Sequence, residues 1–497
     1  MADAQSRLIT RLATGALRRA MRFLVYGSLG AVVTLVTLFV VMLERRPDLE
    51  IWHTTHLDTE FERGNAVESF DDYRALEDRL FAQLEEEIYG RHASDHQGMV
   101  NRYRRGSLAD PSRWPKNWNR SFELAAADPR AGVLLLHGMS DSPYSVRTLA
   151  QTLQQHGATA VGLRIPGHGT APSGLLRVEW EDMAESVELA MRHLRQVTGD
   201  QPLYIVGYSN GGALAVHYAL SSLQDEMLPV ADGLFLMSPE IGITRLAALA
   251  AWQERLGRVL GLRKLSWNSI NVEYDPFKYT SFALNAGRQA YRLTREIQRR
   301  MTVLARTGDL QQFPRVLAFQ SAVDATVSVR ALIQGLFKRL PPDGHELVII
   351  DVNRLAVVQE LLKDDPKVAI EGLFAEHDLP FTLSVITNEN ETSPKVMIRR
   401  RKVGEAEISE SPLGLAWPCT LYSLSHIALP FPPDDPVYGG MDTVKSPGIQ
   451  IGTLVARGER GVLQISPTQM LRVHWNPFHA YMERRMLEFM GLAPAAG

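Results

Sequence analysis

Ser209 lies in Gly207-Tyr208-Ser209-Asn210-Gly211, after the apolar run Pro202-Leu203-Tyr204-Ile205-Val206 and before Gly212-Ala213-Leu214-Ala215-Val216. A Gly-x-Ser-x-Gly turn between a buried strand and a helix lets the backbone segments pass close together and holds the serine hydroxyl out at the carboxyl end of the strand. A serine hydroxyl is a poor nucleophile at neutral pH. It needs an imidazole to take its proton, a carboxylate to orient that imidazole, and donors for the oxyanion that forms. Asp324, at the end of the apolar run 315–320 in Ser-Ala-Val-Asp-Ala-Thr-Val, fits the carboxylate best, ahead of Glu240 and then Asp351. His426 follows the strand-like run 419–424 and opens a proline-rich loop, a setting from which a histidine can lean over the serine; His474 and His479 are the alternatives, with packing or surface roles as their ordinary reading. Oxyanion donors are expected to be the main-chain N–H groups of Asn210 and Met139. A structural turn, a surface aspartate and a packed histidine are the bland readings of these residues taken singly.

Positioning them requires a sheet. Apolar runs at 132–136, 158–163, 202–206, 233–237, 315–320 and 346–350 alternate with helical stretches at 144–155, 178–197 and 327–340, which predicts a mostly parallel sheet covered on both faces. Every residue singled out above then falls at or beyond the carboxyl end of a strand, where function gathers in such sheets. Two stretches interrupt the rhythm. One is 241–314, with helical patterns at 246–260 and 288–306 and the aromatics Trp267, Tyr274, Phe277, Tyr279 and Phe282; these could line a substrate pocket or form the core of a helical hairpin. The other is about 353–415, with strand-like runs at 381–386 and 395–400 and the basic run Arg399-Arg400-Arg401-Lys402, which reads as a solvated strand edge ahead of a lipid-headgroup contact.

The 497 residues are 45% hydrophobic and 22% charged, with a formal net charge of -3, so nothing points to a nucleic-acid partner. Cys419 is the single cysteine, which excludes an intramolecular disulfide and a cysteine-rich metal site. His92 and His96 are four apart but lack the flanking pattern of a zinc helix, so no metal and no cofactor is expected. Residues 23–43 carry no charge and are long enough to span a bilayer, with Arg7, Arg11, Arg18, Arg19 and Arg22 before them. That asymmetry predicts an uncleaved anchor with residues 1–22 in the cytoplasm and the remainder outside, periplasmic if the source is a Gram-negative bacterium. Residues 44–121, with a helical pattern at 71–89, form a stalk or a flank packed on the domain at 122–497.

From about residue 131 onward the chain resembles serine hydrolases of the α/β-hydrolase superfamily, in the branch of monoglyceride lipases, lysophospholipases and serine aminopeptidases. The resemblance is carried by Leu135-Leu136-His137-Gly138-Met139, Arg164-Ile165-Pro166-Gly167-His168-Gly169, the turn at Ser209, Ala322-Val323-Asp324-Ala325-Thr326-Val327 and Leu424-Ser425-His426. It implies an α/β-hydrolase fold with the chain order serine, acid, histidine, and a metal-free acyl transfer in which Ser209 attacks, His426 acts as base then acid, and Asp324 orients it. It also implies that 241–314 caps the site, whereas the family needs only a short loop where this chain has 353–415. The expected substrate is a small acyl ester, possibly a lipid. A peptidase with the same triad and a non-catalytic binding module are the alternatives.

Overall fold

The computed structural model of the chain describes residues 2–92, 98–242, 262–363, 365–454 and 471–493. The helical pattern at 246–260 and His96 therefore lie outside the described residues. The six expected strands form, as β2 (Ala131–Leu136), β3 (Ala158–Leu163), β4 (Leu203–Tyr208), β5 (Gly233–Met237), β8 (Arg315–Ser321) and β9 (Glu346–Ile350). Short β1 (Phe122–Leu124) borders them, and β6 (Trp267–Ser269) pairs with β7 (Phe282–Ala283) in a separate two-stranded sheet. The main sheet runs β1-β3-β2-β4-β5-β8-β9 and then continues through β10 (Thr382–Asn390), β11 (Ser393–Arg401) and β12 (Ser409–Ala416). From β3 to β10 every pairing is parallel, while β1 and the last two strands pair antiparallel.

The strands are apolar throughout because both faces are covered. In β2, Leu134 and Leu136 join one core cluster while Val133 and Leu135 join the opposite one, and in β4 Leu203 and Ile205 face one core while Tyr204 and Val206 face the other. That is the period-2 alternation of a pleated strand with two dry faces. The first face is covered by helices Trp180–Thr198, Asn210–Ser222 and Leu284–Thr307, and the second by Arg147–Gln155 and the closing helix His479–Met490.

The stretch 353–415 is mostly sheet. β10 adds to β9 in parallel with Thr382 opposite Glu346, and β11 and β12 extend the edge. The basic run ends β11 and is neutralised there: Arg399 pairs with Glu371 and Glu410, Arg400 with Glu346 and Lys402, just past the strand, with Glu405, while Arg401 donates to the carbonyls of Phe374, Leu373 and Glu376.

Helix Phe70–Leu84 packs against the domain rather than standing off as a stalk, burying Phe70, Tyr73 and Leu76 in the main core. Its tie is Arg164, fully buried after β3. The guanidinium holds Glu77 Oε1 at 2.7 Å and both carboxylate oxygens of Glu60 at 3.0 and 2.9 Å. Glu60 also accepts from Gly167 N–H at 2.9 Å, so one carboxylate fixes both the arginine and the Pro-Gly-His-Gly turn. Removing one partner of such a cluster strands buried charge. Arg164→Ala is expected to lower unfolding free energy by about 3–5 kcal/mol in denaturant melts followed by tryptophan fluorescence; a loss under about 1 kcal/mol would mean that this ion cluster does not hold the flank.

The N-terminal helix runs Ala2–Glu44, and within it Met21–Glu44 is long and apolar enough to cross a membrane, at a mean hydropathy of 2.3. Its end is tied to the 241–314 stretch: Arg46 donates to the carbonyls of Lys264, Trp267 and Asn268 at 2.8, 2.7 and 3.0 Å, and Lys264 Nζ meets Asp48 at 2.7 Å.

Candidate active site

Ser209 closes β4 with φ 54° and ψ -115°, a backbone conformation that a non-glycine residue adopts only at a cost of about 1–3 kcal/mol. Its neighbours explain how the turn stays this tight. A Cβ on Gly207 would come within 2.5 Å of Gly211 O and Gly212 Cα, and one on Gly211 within 2.4 Å of Leu136 O. The start of the elbow helix therefore rests directly on the end of β2. Ser209 N–H donates to Met237 O at 2.9 Å, and Ser209 O accepts from Glu240 N–H at 3.0 Å, binding the turn to the end of β5. Ser140 and Ser238 also have positive φ, 66° and 43°, so all three non-glycine residues of that kind among the described residues sit on loops after β2, β4 and β5. Serine composition gave no sign of those two.

His426 opens a short turn, His426–Ala428, and its Nδ1 lies 2.9 Å from Asp324 Oδ2. The two residues are 102 positions apart. The loop carrying His426 returns over the sheet ends: Asn353 N–H and Nδ2 donate to the carbonyls of Tyr422 and Leu421 at 2.9 Å each, and Ser321 Oγ donates to Leu424 O at 2.8 Å. The Tyr208 ring, adjacent to Ser209 in the chain, lies 5.3 Å from the imidazole. With Nδ1–H donating to Asp324, Nε2 is left with its lone pair, and it has no protein partner among the described residues.

The Asp324 side chain is fully buried. Burial alone would raise its carboxyl, but the His426 ring and the N–H groups of Val327 and Thr326 hold it below the ordinary carboxylate range. Oδ1 accepts both N–H groups, at 2.9 and 2.8 Å, while Oδ2 accepts Gln320 Nε2 at 2.9 Å in addition to the histidine.

The other candidates are used differently. Asp351 is bound by Arg354 through two contacts of 2.7 Å. Glu240 lies beside the elbow, but its Oε2 is buried without a partner and burial pushes its carboxyl up to about 7. His474 is stacked on Tyr438 at 6.4 Å, its imidazole lowered to about 4 by burial, and His479 meets Pro430 O at 3.2 Å within the closing helix.

The loop after β2 is fixed by His137, whose Nδ1–H donates to Gly138 O at 2.8 Å and whose Nε2 accepts from Ile165 N–H at 3.1 Å. Burial pushes His137 well below the usual imidazole value and His168, 5.1 Å away, to about 4, so both rings are neutral supports. The N–H groups of Met139 and Asn210 have no acceptor among the described residues. For Asn210 this is what the first turn of a helix imposes, and its N–H also sits at the positive end of the helix dipole.

Trp267, Phe277 and Tyr279 are spent on packing. Trp267 meets His53 edge-on at 5.0 Å, Phe277 stacks on Tyr144 at 3.9 Å, and the Tyr279 hydroxyl accepts from Thr170 N–H at 2.7 Å.

A parallel sheet in this strand order, with a serine elbow after β4 and an acid–histidine pair delivered from later loops, is the architecture of the α/β-hydrolases. Within it, residues 127–354 match the family described as serine aminopeptidase, S33. Over 88 residues the chain is 36% identical to the thermostable monoacylglycerol lipase of Bacillus sp. (strain H-257), a match spanning 18% of this chain and 34% of that one, or about a third of the curated relative's length. Among solved structures, a metagenome-derived lipolytic enzyme is similar at 19% identity and a TM-score of 0.36 over 47% of this chain and 88% of that one. A soluble variant of the Saccharomyces cerevisiae monoglyceride lipase is similar at 14% identity and a TM-score of 0.36 over 46% and 81%.

Proposed function

We propose that the protein is a membrane-anchored serine hydrolase that cleaves carboxylic esters, with Ser209, His426 and Asp324 as its catalytic triad. The observation that carries this reading is the 2.9 Å contact between His426 and Asp324, which pairs the imidazole with a carboxylate after the long detour through β10 to β12. His426 Nε2 takes the proton of Ser209 Oγ as the oxygen attacks the ester carbonyl, and the N–H groups of Met139 and Asn210 stabilise the resulting oxyanion. The imidazolium then gives its proton to the leaving alkoxide. Water, deprotonated by the same nitrogen, hydrolyses the acyl-enzyme and frees the serine.

The monoacylglycerol lipase relative favours a lipid-like acyl ester as substrate. The description of the matched family favours a second reading, an aminopeptidase with the same triad. Rates on long-chain monoacylglycerol and on aminoacyl arylamides separate the two. The chemistry itself is tested by a fluorophosphonate probe, expected to label the wild type on the peptide containing Ser209; an unlabelled wild type, or a label on another residue, overturns the assignment.

The apolar segment supports a single-pass anchor, and the arginines ahead of it favour a cytoplasmic N-terminus with the catalytic domain on the other side. The full chain is expected to stay with membranes through alkaline extraction; its release would remove the anchor from this reading.

A further inference from the structure

At Gly169 of the Pro-Gly-His-Gly turn, the flank forms a solvent-open cavity of about 180 Å³ whose walls include Arg102, Arg105, Arg120, Asn117, Asn119 and the exposed Glu85. Arg102 is 1% exposed, yet its charge is barely matched. Nη2 makes two long hydrogen bonds, to Asn119 Oδ1 at 3.3 Å and Gly169 O at 3.4 Å, whereas Nε and Nη1 are buried without partners. Among the described residues no carboxylate reaches it. The two acids whose charges act on it are spent elsewhere: Glu273 accepts the N–H groups of Thr280 and Ser281 at 3.0 and 2.9 Å, and Asp275 Oδ1 accepts the Tyr438 hydroxyl at 2.6 Å and the N–H groups of Phe277 and Lys278 at 2.9 and 3.0 Å. The rings of Tyr103 and Tyr279 lie 5.5 and 5.3 Å from the guanidinium, close enough for cation–π attraction but leaving its in-plane N–H groups free.

The two outer arginines are balanced, Arg105 by Glu85 and Asp110 and Arg120 by Asp78. The uncompensated charge in the cavity is therefore that of Arg102. A buried guanidinium with open donors is costly unless a partner completes it, and its planar fork matches the oxygens of a phosphoryl group two at a time. At about 30 Å³ per water the cavity has room for about six, enough for a phosphoryl group and the atoms beside it.

We propose that this cavity is a binding site for a phosphoryl oxyanion, with Arg102 as its central ligand and Arg105, Arg120 and Asn117 at its rim. The site is separate from Ser209 and does not depend on the catalytic reading. The ligand is either a lipid headgroup or a soluble phosphate ester, since both present the same oxygens.

The test is calorimetric titration of inorganic phosphate into the full chain in detergent micelles. Saturable one-to-one binding is expected, weakened more than tenfold in Arg102→Gln and in Arg120→Glu, with phosphate raising the melting temperature of the wild type and not of either variant. Should Arg102→Gln fail to fold, the partly exposed Arg120→Glu and Asn117→Asp decide the question by the same two readouts. Absence of saturable binding to the wild type, or binding unchanged in the folded variants, overturns the proposal. Competition by phosphatidylglycerol vesicles against bound phosphate would identify a lipid source, and competition by glycerol 3-phosphate alone a soluble one; either result supports the site.

Discussion

Alanine at Ser209 or at His426 is expected to lower kcat/KM for ester hydrolysis by about 10⁶-fold, and alanine at both positions by no more than either alone. The reason for that non-additivity is that the two side chains act on one proton. Without the imidazole, Ser209 Oγ stays protonated and unreactive; without the hydroxyl, Nε2 has no nucleophile to activate. What survives in each variant is the oxyanion loop and substrate binding, worth about 10³–10⁴-fold over water. His474→Ala is the control. Its ring is stacked on Tyr438, and burial holds it neutral, so its loss should leave turnover within a few-fold and appear as reduced stability. Normal turnover in His426→Ala with lost turnover in His474→Ala would move the general base. Initial rates on a short-chain ester, with circular dichroism to confirm that each variant is folded, distinguish these outcomes.

The long detour before His426 has a structural logic that also explains what could and could not be foreseen from the sequence. The six strands β2, β3, β4, β5, β8 and β9 were legible because each is buried on both faces and so reads as a predominantly apolar run. Ser209 and Asp324 stand out as candidates for the same reason, since each follows one of these strands; His426 does not, because 419–424 forms turns and irregular backbone in place of the expected strand. β12 left no comparable trace: Ser409–Ala416 is an edge strand, mostly exposed, whose pairing depends on β11 and not on apolar side chains. The run at 399–402 looked like a patch of positive charge because its partners, Glu346, Glu371 and Glu410, come from three separate parts of the chain. The flank was ambiguous for the same reason. Glu60 and Glu77 appear as ordinary surface acids until Arg164, 104 and 87 positions away, is placed between them.

The N-terminal helix and the 241–314 stretch are tied together at their junction. Arg46, just beyond the apolar helix, binds three carbonyls at 264–268, and the helix further along, Leu284–Thr307, packs on the elbow helix, with Ala286, Leu293 and Ile297 in the same core cluster. A bilayer around Met21–Glu44 would therefore hold this side of the domain at a fixed distance from the lipid surface.

Asn at position 324 is expected to lower kcat by about 10⁴-fold with KM little changed, while keeping the fold. The hydrogen bonds around the carboxylate fix which way the amide must point. Thr326 and Val327 donate main-chain N–H groups to Oδ1, so the amide oxygen has to take that position and the NH₂ group falls at Oδ2, against His426. A donor there forces the imidazole proton onto Nε2, and the lone pair that should face Ser209 is lost. Gln320 Nε2 donates both to Oδ2 and to Val327 O, at 2.9 and 3.0 Å, so it keeps the second bond and loses the first, and a modest loss of stability is expected beside the tautomer defect. Asp324 also carries an acid-side contribution to stability. Its native value is depressed, so that contribution is complete above the unfolded value of about 3.9 and is lost as pH falls through the native one; melts of Asp324→Asn should be flatter than wild type below about pH 4. Glu240→Gln is the contrasting variant. Glu240 is raised from 4.5 to about 7, so the wild type loses stability as pH rises between those values, and the glutamine variant should be more stable at pH 8 with turnover within a few-fold. A 10⁴-fold loss in Glu240→Gln with Asp324→Asn near normal would make Glu240 the orienting acid, despite the 2.9 Å contact that now links His426 to Asp324.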